Sequence, residues 1–424
     1  MPTPTTYASQ LTFAGLASEQ SQGTALAPTS TILLNKDPGT KDNQVYLEDM
    51  ALRNAMAEVY GAVQGPLSAD WQLDGDVRSD TQGYLLGNIL GDWTQTQPVT
   101  TPSTTTSGTN NAGATQISTT LGTGFTTGMT VQVGTGLTAE IVTIGTPSGN
   151  NLPIVKTARQ ASAGTLAFTH AAAQTVAQVD PAQLSTYAFA LQNAGATNSQ
   201  ALVAQARSLT LTDWSGVTAS TGARQFPGSM LSELSYSFDA TKLLTFAAKA
   251  SSWGSAAAGV TPTPSISSLV AIAGWNCAVG IGGPASGGTL VPSVTSMDIT
   301  LTRALKVYPA LGAKQPYIIR QGKFGVSGRF TIVAADETHI LNYLNNVQPQ
   351  LQIVYSTGSG LTAQTIQFDL AQVYYKAAAL ERGQEEVDVL VEFTGVANTT
   401  NVGASGGFSP LMVTIKNTVA VGTF

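Results

Sequence analysis

The sequence predicts a mainly β protein built around a duplicated small unit, and three observations carry that prediction. Met297, Ile299 and Leu301 alternate with Asp298, Thr300 and Thr302, and Val387, Val389, Val391 and Phe393 alternate with Glu386, Asp388, Leu390 and Glu392. A period of two with one polar face is the mark of half-buried antiparallel strands. A strand–turn–short-helix pattern occurs twice, at Trp71–Gly91 and Phe324–Leu344. Between 111 and 179, short apolar runs recur between glycine turns at the spacing of a small all-β module.

Composition sets the outer limits. The chain has 424 residues, of which only 10% are charged, against roughly 25% in an average globular protein. A neutral surface rich in Thr, Ser, Ala and Gly promotes association instead of resisting it. The formal net charge of −6 and pI near 4.9 argue against the basic footprint of a specific nucleic-acid binder. An acidic lining would suit a passage through which a polyanion slides. Cys277 is the single cysteine, so no internal disulfide can form. The Met1 segment has no basic region followed by an apolar core, and no apolar run approaches the roughly 20 residues of a membrane helix. The expectation is a protein made and used in a reducing cytoplasm, without membrane contact.

Residues 1–43 read as an extended N-terminal arm. In 44–63, Leu52, Met56, Val59 and Val63 fall at helical spacing and predict an amphipathic helix. Strand Trp71–Val77 follows. Asp80 or Thr81 then serves as N-cap of a helix with Leu85, Leu86, Ile89 and Leu90 on one side, weakened by Gly83 and Gly87 at about 1 kcal/mol each. The Thr-rich stretch 94–110 reads as a low-complexity boundary. The expected module strands are Thr115–Thr119, Met129–Val133, Glu140–Ile144, Ile154–Lys156 and Thr165–Phe168. The first unit resumes at Leu209–Thr212, Met230–Phe238 and Thr241–Ala250. A Gly/Ala and Thr-Pro-Thr-Pro stretch within Ser251–Ser268 reads as a linker. The second unit has a helix from Asp336 with Ile340, Leu341, Leu344 and Val347 on one side. Its further strands are Leu351–Tyr355, Thr365–Leu370 and Gln384–Thr394. The resulting division is a first unit at 44–98 and 180–252 interrupted by an inserted module at 99–179, a linker at 253–268, and a second unit at 269–424. Surface loops accept such insertions at small entropic cost.

The chemistry-bearing signals are weak. Gly122, Gly124 and Gly128 are spaced one residue too long for a dinucleotide fingerprint and lie among short strands. His170 and His339 are the only histidines and have no ligand-like spacing. His339 is expected to pack and Cys277 to behave as a small buried hydrophobe. No catalytic, cofactor-binding or metal site is expected, and the chain is read as a non-enzyme. Among Glu381, Glu385, Glu386, Asp388 and Glu392, three alternate on one strand face. A solvated outer face and a polar lining both account for them better than a glycosidase carboxylate pair.

The strand around Gly75 leading into Tyr84–Gly91, the strand Pro227–Phe238, Ser296–Arg303 followed by Gly312–Pro316, and the closing Phe408–Asn417 together resemble the tail tube (major tail) proteins of long-tailed bacteriophages. The likeness covers most of the chain outside the arm and the module. It implies two tandem β-sandwich or barrel domains, each with a short flanking helix, and subunits that join sheets into a β-lined tube. It further implies a structural virion protein that self-assembles into stacked rings, the conduit for DNA ejection. Its place would be the virion tail, assembled in the host bacterial cytoplasm. The implied partners are other copies of itself, the tape-measure protein and tail-end proteins, with DNA only in transit. Two tube units per chain predict a trimeric ring with pseudo-sixfold appearance, a hexamer being the alternative. In this setting Glu386, Asp388 and Glu392 are the candidate lumen-facing residues. The competing reading is a secreted or surface β-domain adhesin or carbohydrate-binding protein.

Overall fold

The computed structural model describes residues 12–19, 21–51, 57–157, 164–180, 183–193, 205–215, 222–258, 263–358, 360, 363–382 and 386–419. The chain opens with β1 (Phe13–Ser18), β2 (Ser30–Ile32), β3 (Lys41–Asp49), β4 (Gly61–Asp76), α1 (Gln82–Leu90) and β5 (Gly91–Thr96). A separate group follows: β6 (Val99–Thr105), β7 (Gln116–Ser118), β8 (Thr130–Val133), β9 (Glu140–Ile144), β10 (Asn151–Thr157) and β11 (Thr175–Val179). The first half closes with β12 (Ser185–Leu191), β13 (Leu209–Trp214), β14 (Ala223–Asp239), β15 (Thr245–Trp253) and β16 (Ala256–Ala257). The second half holds β17 (Cys277–Ile281), β18 (Val294–Tyr308), β19 (Ile318–Val333), α2 (Thr338–Leu344), β20 (Leu351–Thr357), β21 (Gln364–Leu370), β22 (Val373–Arg382), β23 (Val387–Gly395) and β24 (Met412–Asn417).

These strands build a sandwich, with no closed barrel among the described residues. One layer contains a row of eight strands in the order β3-β4-β15-β14-β18-β19-β23-β22, every neighbour antiparallel. The facing sheet has the order β17-β20-β21-β24-β12-β5. Both sheets are continuous across the two halves, through β14 against β18 and β12 against β24. The core is correspondingly one cluster running from Ala14 to Ile415. Tyr236 and Phe238 of β14 meet Phe368 of β21 edge-on at 5.1 and 5.8 Å, the geometry aromatic pairs prefer.

A single strand, β14, serves two directions. Its first part pairs with β13 and β16, its second with β15 and β18. Between them Gly228 takes φ +65, with Trp253 2.8 Å from where a Cβ would lie, so only glycine fits the bend. The expected helix around Leu85–Leu90 is present, yet all of its residues are buried, not one side alone. It packs on β14, β12 and β5. Burying Leu85, Leu86, Ile89 and Leu90 stabilises by about 6–12 kcal/mol, which outweighs the two glycines. Thr81 is its N-cap residue but makes no capping bond; its hydroxyl donates to the Arg78 carbonyl instead.

Several expectations need correction. Residues 44–63 are not a helix where described: 44–49 lie in β3 and 61–63 in β4, with Leu47 directly across from Val63. Leu52 and Met56 lie outside the described residues. Of the two remaining residues at helical spacing, Val63 lies in β4 and Val59 in the connection before it. The described part of the arm contains β1, β2 and the start of β3; β1 is buried at Ala14, Leu16 and Ala17 and pairs with β13. The Thr-rich 94–110 stretch supplies the end of β5 and all of β6, as β-branched residues favour. Ser251–Trp253 finishes β15, and Ala256–Ala257 pairs with β14. Thr165–Phe168 is not a strand, because the Ala167 and Phe168 N–H groups donate to the Glu140 carboxylate at 2.6 and 2.7 Å. On α2, Leu341 and Leu344 are exposed while Ile340 packs on the core; Val347 lies beyond the end of the helix and is exposed as well. Val387, at the start of β23, is also exposed.

Strands β6 to β11 form their own six-stranded sheet, with a separate core around Ile117, Val131, Val142, Leu152 and Val176. At its base the Asp180 N–H donates to the Pro98 carbonyl at 2.8 Å.

Candidate functional site

Because successive side chains of a strand point to opposite faces, the eight-strand row has a buried side and a polar side. Asp74, Ala247, Ser235, Thr300, Ser327, Thr394 and Tyr374 are mutual partners along one line across seven strands. None of them is buried. The alternating neighbours Leu73, Ala248, Leu234, Tyr236, Leu301, Val326 and Phe393 are. Both halves thus contribute to one uninterrupted hydroxyl-rich face.

The charges on this face are mixed. Lys36 pairs with Asp74, Lys249 with Glu233, Lys242 with Asp239 and Arg329 with Asp298, each at 2.9 Å. Thr241 hydrogen bonds and Lys242 hold the Asp239 carboxyl well below its usual range. A shallow concavity of about 440 Å³ lies where Ser235, Asp298, Thr300, Arg329, Lys376 and Glu392 converge. Of the three candidate acids, Glu392 is exposed on β23 across from Arg329. Asp388 is half-buried, facing Glu381 on β22. Glu386 is exposed just before β23. None of the three has an ion-pair partner among the described residues. Glu385 lies outside those residues.

The remaining titratable candidates are tied into packing. His170 is buried, its Nε2 2.9 Å from Glu140 Oε1. His339 packs edge-on against Phe330 at 5.8 Å, and burial lowers its pKa. Cys277 is partly buried against the core, and burial pushes its thiol up to about 12, far from a reactive thiolate. Among the described residues no three His, Cys, Asp or Glu side chains come together as metal ligands. No helix among them is long and apolar enough to cross a membrane.

Exposed apolar residues are what sequence reasoning missed. Val45, Tyr46, Leu47 and Val63 stand out on the β3–β4 pair, and Leu311 and Tyr317 at the tip joining β18 to β19. At the opposite end of that sheet lie Val270 and Trp275. Groups of this kind mark interaction sites. The signal available was the Val45-Tyr46-Leu47 run and a lone leucine in the Pro309–Gly312 turn.

An antiparallel sandwich with open sheet edges, a continuous polar face and exposed apolar ends defines a structural β protein. A family model described as phage tail tube protein matches residues 9–397. The chain therefore belongs to the phage tail tube protein family, a family of structural tail components of the virion. No curated protein matches the chain.

Proposed function

We propose that this protein assembles into stacked rings that form the tail tube and conduct DNA during ejection. One observation carries the reading: a row of eight strands, drawn from both halves of the chain, presents a single polar face and ends at β3 and β22, each paired on one side alone among the described residues. Open edges of that length need partners, and closure around an axis removes them. The polar face, including Glu386, Asp388 and Glu392, is assigned to the lumen, where hydroxyls and paired charges keep DNA hydrated and mobile without specific binding. Before ejection the same lumen would surround the tape-measure protein, and the ends of the tube would meet tail-end proteins. Assembly is assigned to the host cytoplasm, and no cofactor takes part. The proposed division keeps an arm at 1–43, two tube units at 44–98 with 180–252 and at 269–424, a junction at 253–268, and a module at 99–179 projecting outward.

Two tube units per chain support a trimeric ring with pseudo-sixfold appearance. Three chains of 43.7 kDa give about 131 kDa. Negative-stain imaging together with native mass measurement tests both levels. Rings and tubes are expected, with a ring mass near that value. A mass twice as large would mean a hexamer. A protein that stays monomeric at high concentration, with no tubes in any preparation, overturns the reading.

A further inference from the structure

The two ends of the β18–β19 strand pair carry a projection and a slot. Leu311 stands at the apex of the connection, with a relative exposure of 104%. It is held there: Gly312 takes φ +85 to turn the chain, the Lys314 carbonyl accepts the Leu67 N–H at 2.8 Å, and Gln315 Oε1 accepts the Gly254 N–H at 2.8 Å. Tyr317 on the same connection is also exposed, at 75%, so this tip presents two large apolar side chains, and apolar groups exposed together mark interaction sites.

At the other end, where β18 begins, a cleft of about 200 Å³ opens between the two sheets. Phe238, Val279, Met297 and Ile353, all buried, contribute its apolar walls. Cys277 and Trp275, the latter 72% exposed, stand at its mouth. Asp239 on the rim is already paired with Lys242. The cleft is several times the roughly 30 Å³ share of one water molecule and suits a branched aliphatic side chain.

We infer that Leu311 of one copy seats in the Trp275–Met297 cleft of a copy in the adjacent ring, and that this contact gives the tube its direction of stacking. The inference rests on the tail-tube reading above. A projection and its slot at opposite ends of one molecule make a head-to-tail contact, which repeats without closing and so grows a filament. The two are separated by the length of β18, 15 residues or about 50 Å of strand. At the 35–45° strand tilt of barrels, the axial repeat would be roughly 35–40 Å.

The test uses the full chain and two surface variants, Leu311→Asp, which removes the projection and leaves the slot, and Trp275→Glu, which does the reverse. Each alone should give single rings of normal mass and circular dichroism, with stacking weakened roughly tenfold or more per contact. Mixed, they should form two-ring particles and stop, since only one compatible contact remains. Stacking by Leu311→Asp at the level of the parent, or a mixture that stays as single rings, overturns the contact while the tube reading stands. Absence of stacked species from the parent chain overturns the tube reading and this contact with it. An axial repeat in parent tubes far from the value above also counts against the contact.

Discussion

Arg329 stands directly across from Glu392 on the neighbouring strand, yet its Nε donates to Asp298 on the other side, 2.9 Å away. Glu392 is left as the uncompensated member of a mixed-charge group. Replacing Glu386, Asp388 and Glu392 together with Lys should leave ring assembly intact, because the buried face of β23 is untouched. Stability should change by less than about 1 kcal/mol, as exposed charges contribute little. Tubes of the variant should retain DNA at low salt and release it as salt rises, and phage carrying it should lose infectivity. Unchanged DNA retention and infectivity would remove these residues from the lumen.

Asn88 ties α1 to both halves of the sheet bend. Its amide donates to the Arg207 and Ser229 carbonyls at 2.7 and 3.1 Å, and its oxygen accepts the Leu231 N–H at 2.7 Å. Asn88→Ala would strand three buried backbone groups, so a loss of about 2–4 kcal/mol is expected in denaturant unfolding. A loss below about 1 kcal/mol would mean that water replaces the side chain.

Glu19 is a buried carboxylate that accepts hydrogen bonds from Thr210, Ser208, Gly23 and Gly228. Burial raises its pKa despite those bonds. The folded state therefore holds the proton more tightly than the unfolded chain. Its contribution to stability is fully present below the ordinary glutamate range and declines as pH rises through the elevated folded value. The difference in unfolding free energy between parent and Glu19→Gln, followed from pH 4 to 8, should accordingly shift against the parent as pH increases. A difference that is flat with pH would refute the shift.

Removal of Val99–Val179, with Pro98 and Asp180 joined through a short Gly/Ser linker, should preserve rings. Those two residues are already hydrogen-bonded, and the excised sheet has its own core. The separate piece 97–181 should be soluble and folded by circular dichroism. Loss of rings in the shortened chain would make the module part of the subunit contact.

Strands buried on one side were readable because burial writes a period of two into the sequence, as at Met297–Leu301 and Val389–Phe393. Val45, Tyr46, Leu47 and Val63 are exposed on a strand pair that packs little, so no burial period marked β3 or the start of β4, and the spacing of Leu52, Met56, Val59 and Val63 was read as a helix instead. The apolar stripe of α2 was correctly placed on a helix, but a stripe identifies a face and not what covers it; in the single chain Leu341 and Leu344 are uncovered. Thr165–Phe168 was misread because the Glu140 side chain that captures its backbone lies 27 and 28 residues earlier. The charged neighbours of Glu392 were hidden for the same reason. Arg329 and Glu392 meet only through a register set by the whole sheet.

The eight-strand row has an even number of members, so its first and last strands, β3 and β22, run in opposite directions. A copy placed beside another in the same orientation therefore offers an antiparallel partner at every seam, and no subunit has to be inverted. An odd count would force parallel seams within an otherwise antiparallel wall. Each half contributes four strands to the row, so the duplication preserves that parity, and in the proposed ring every seam would be antiparallel whatever the number of subunits.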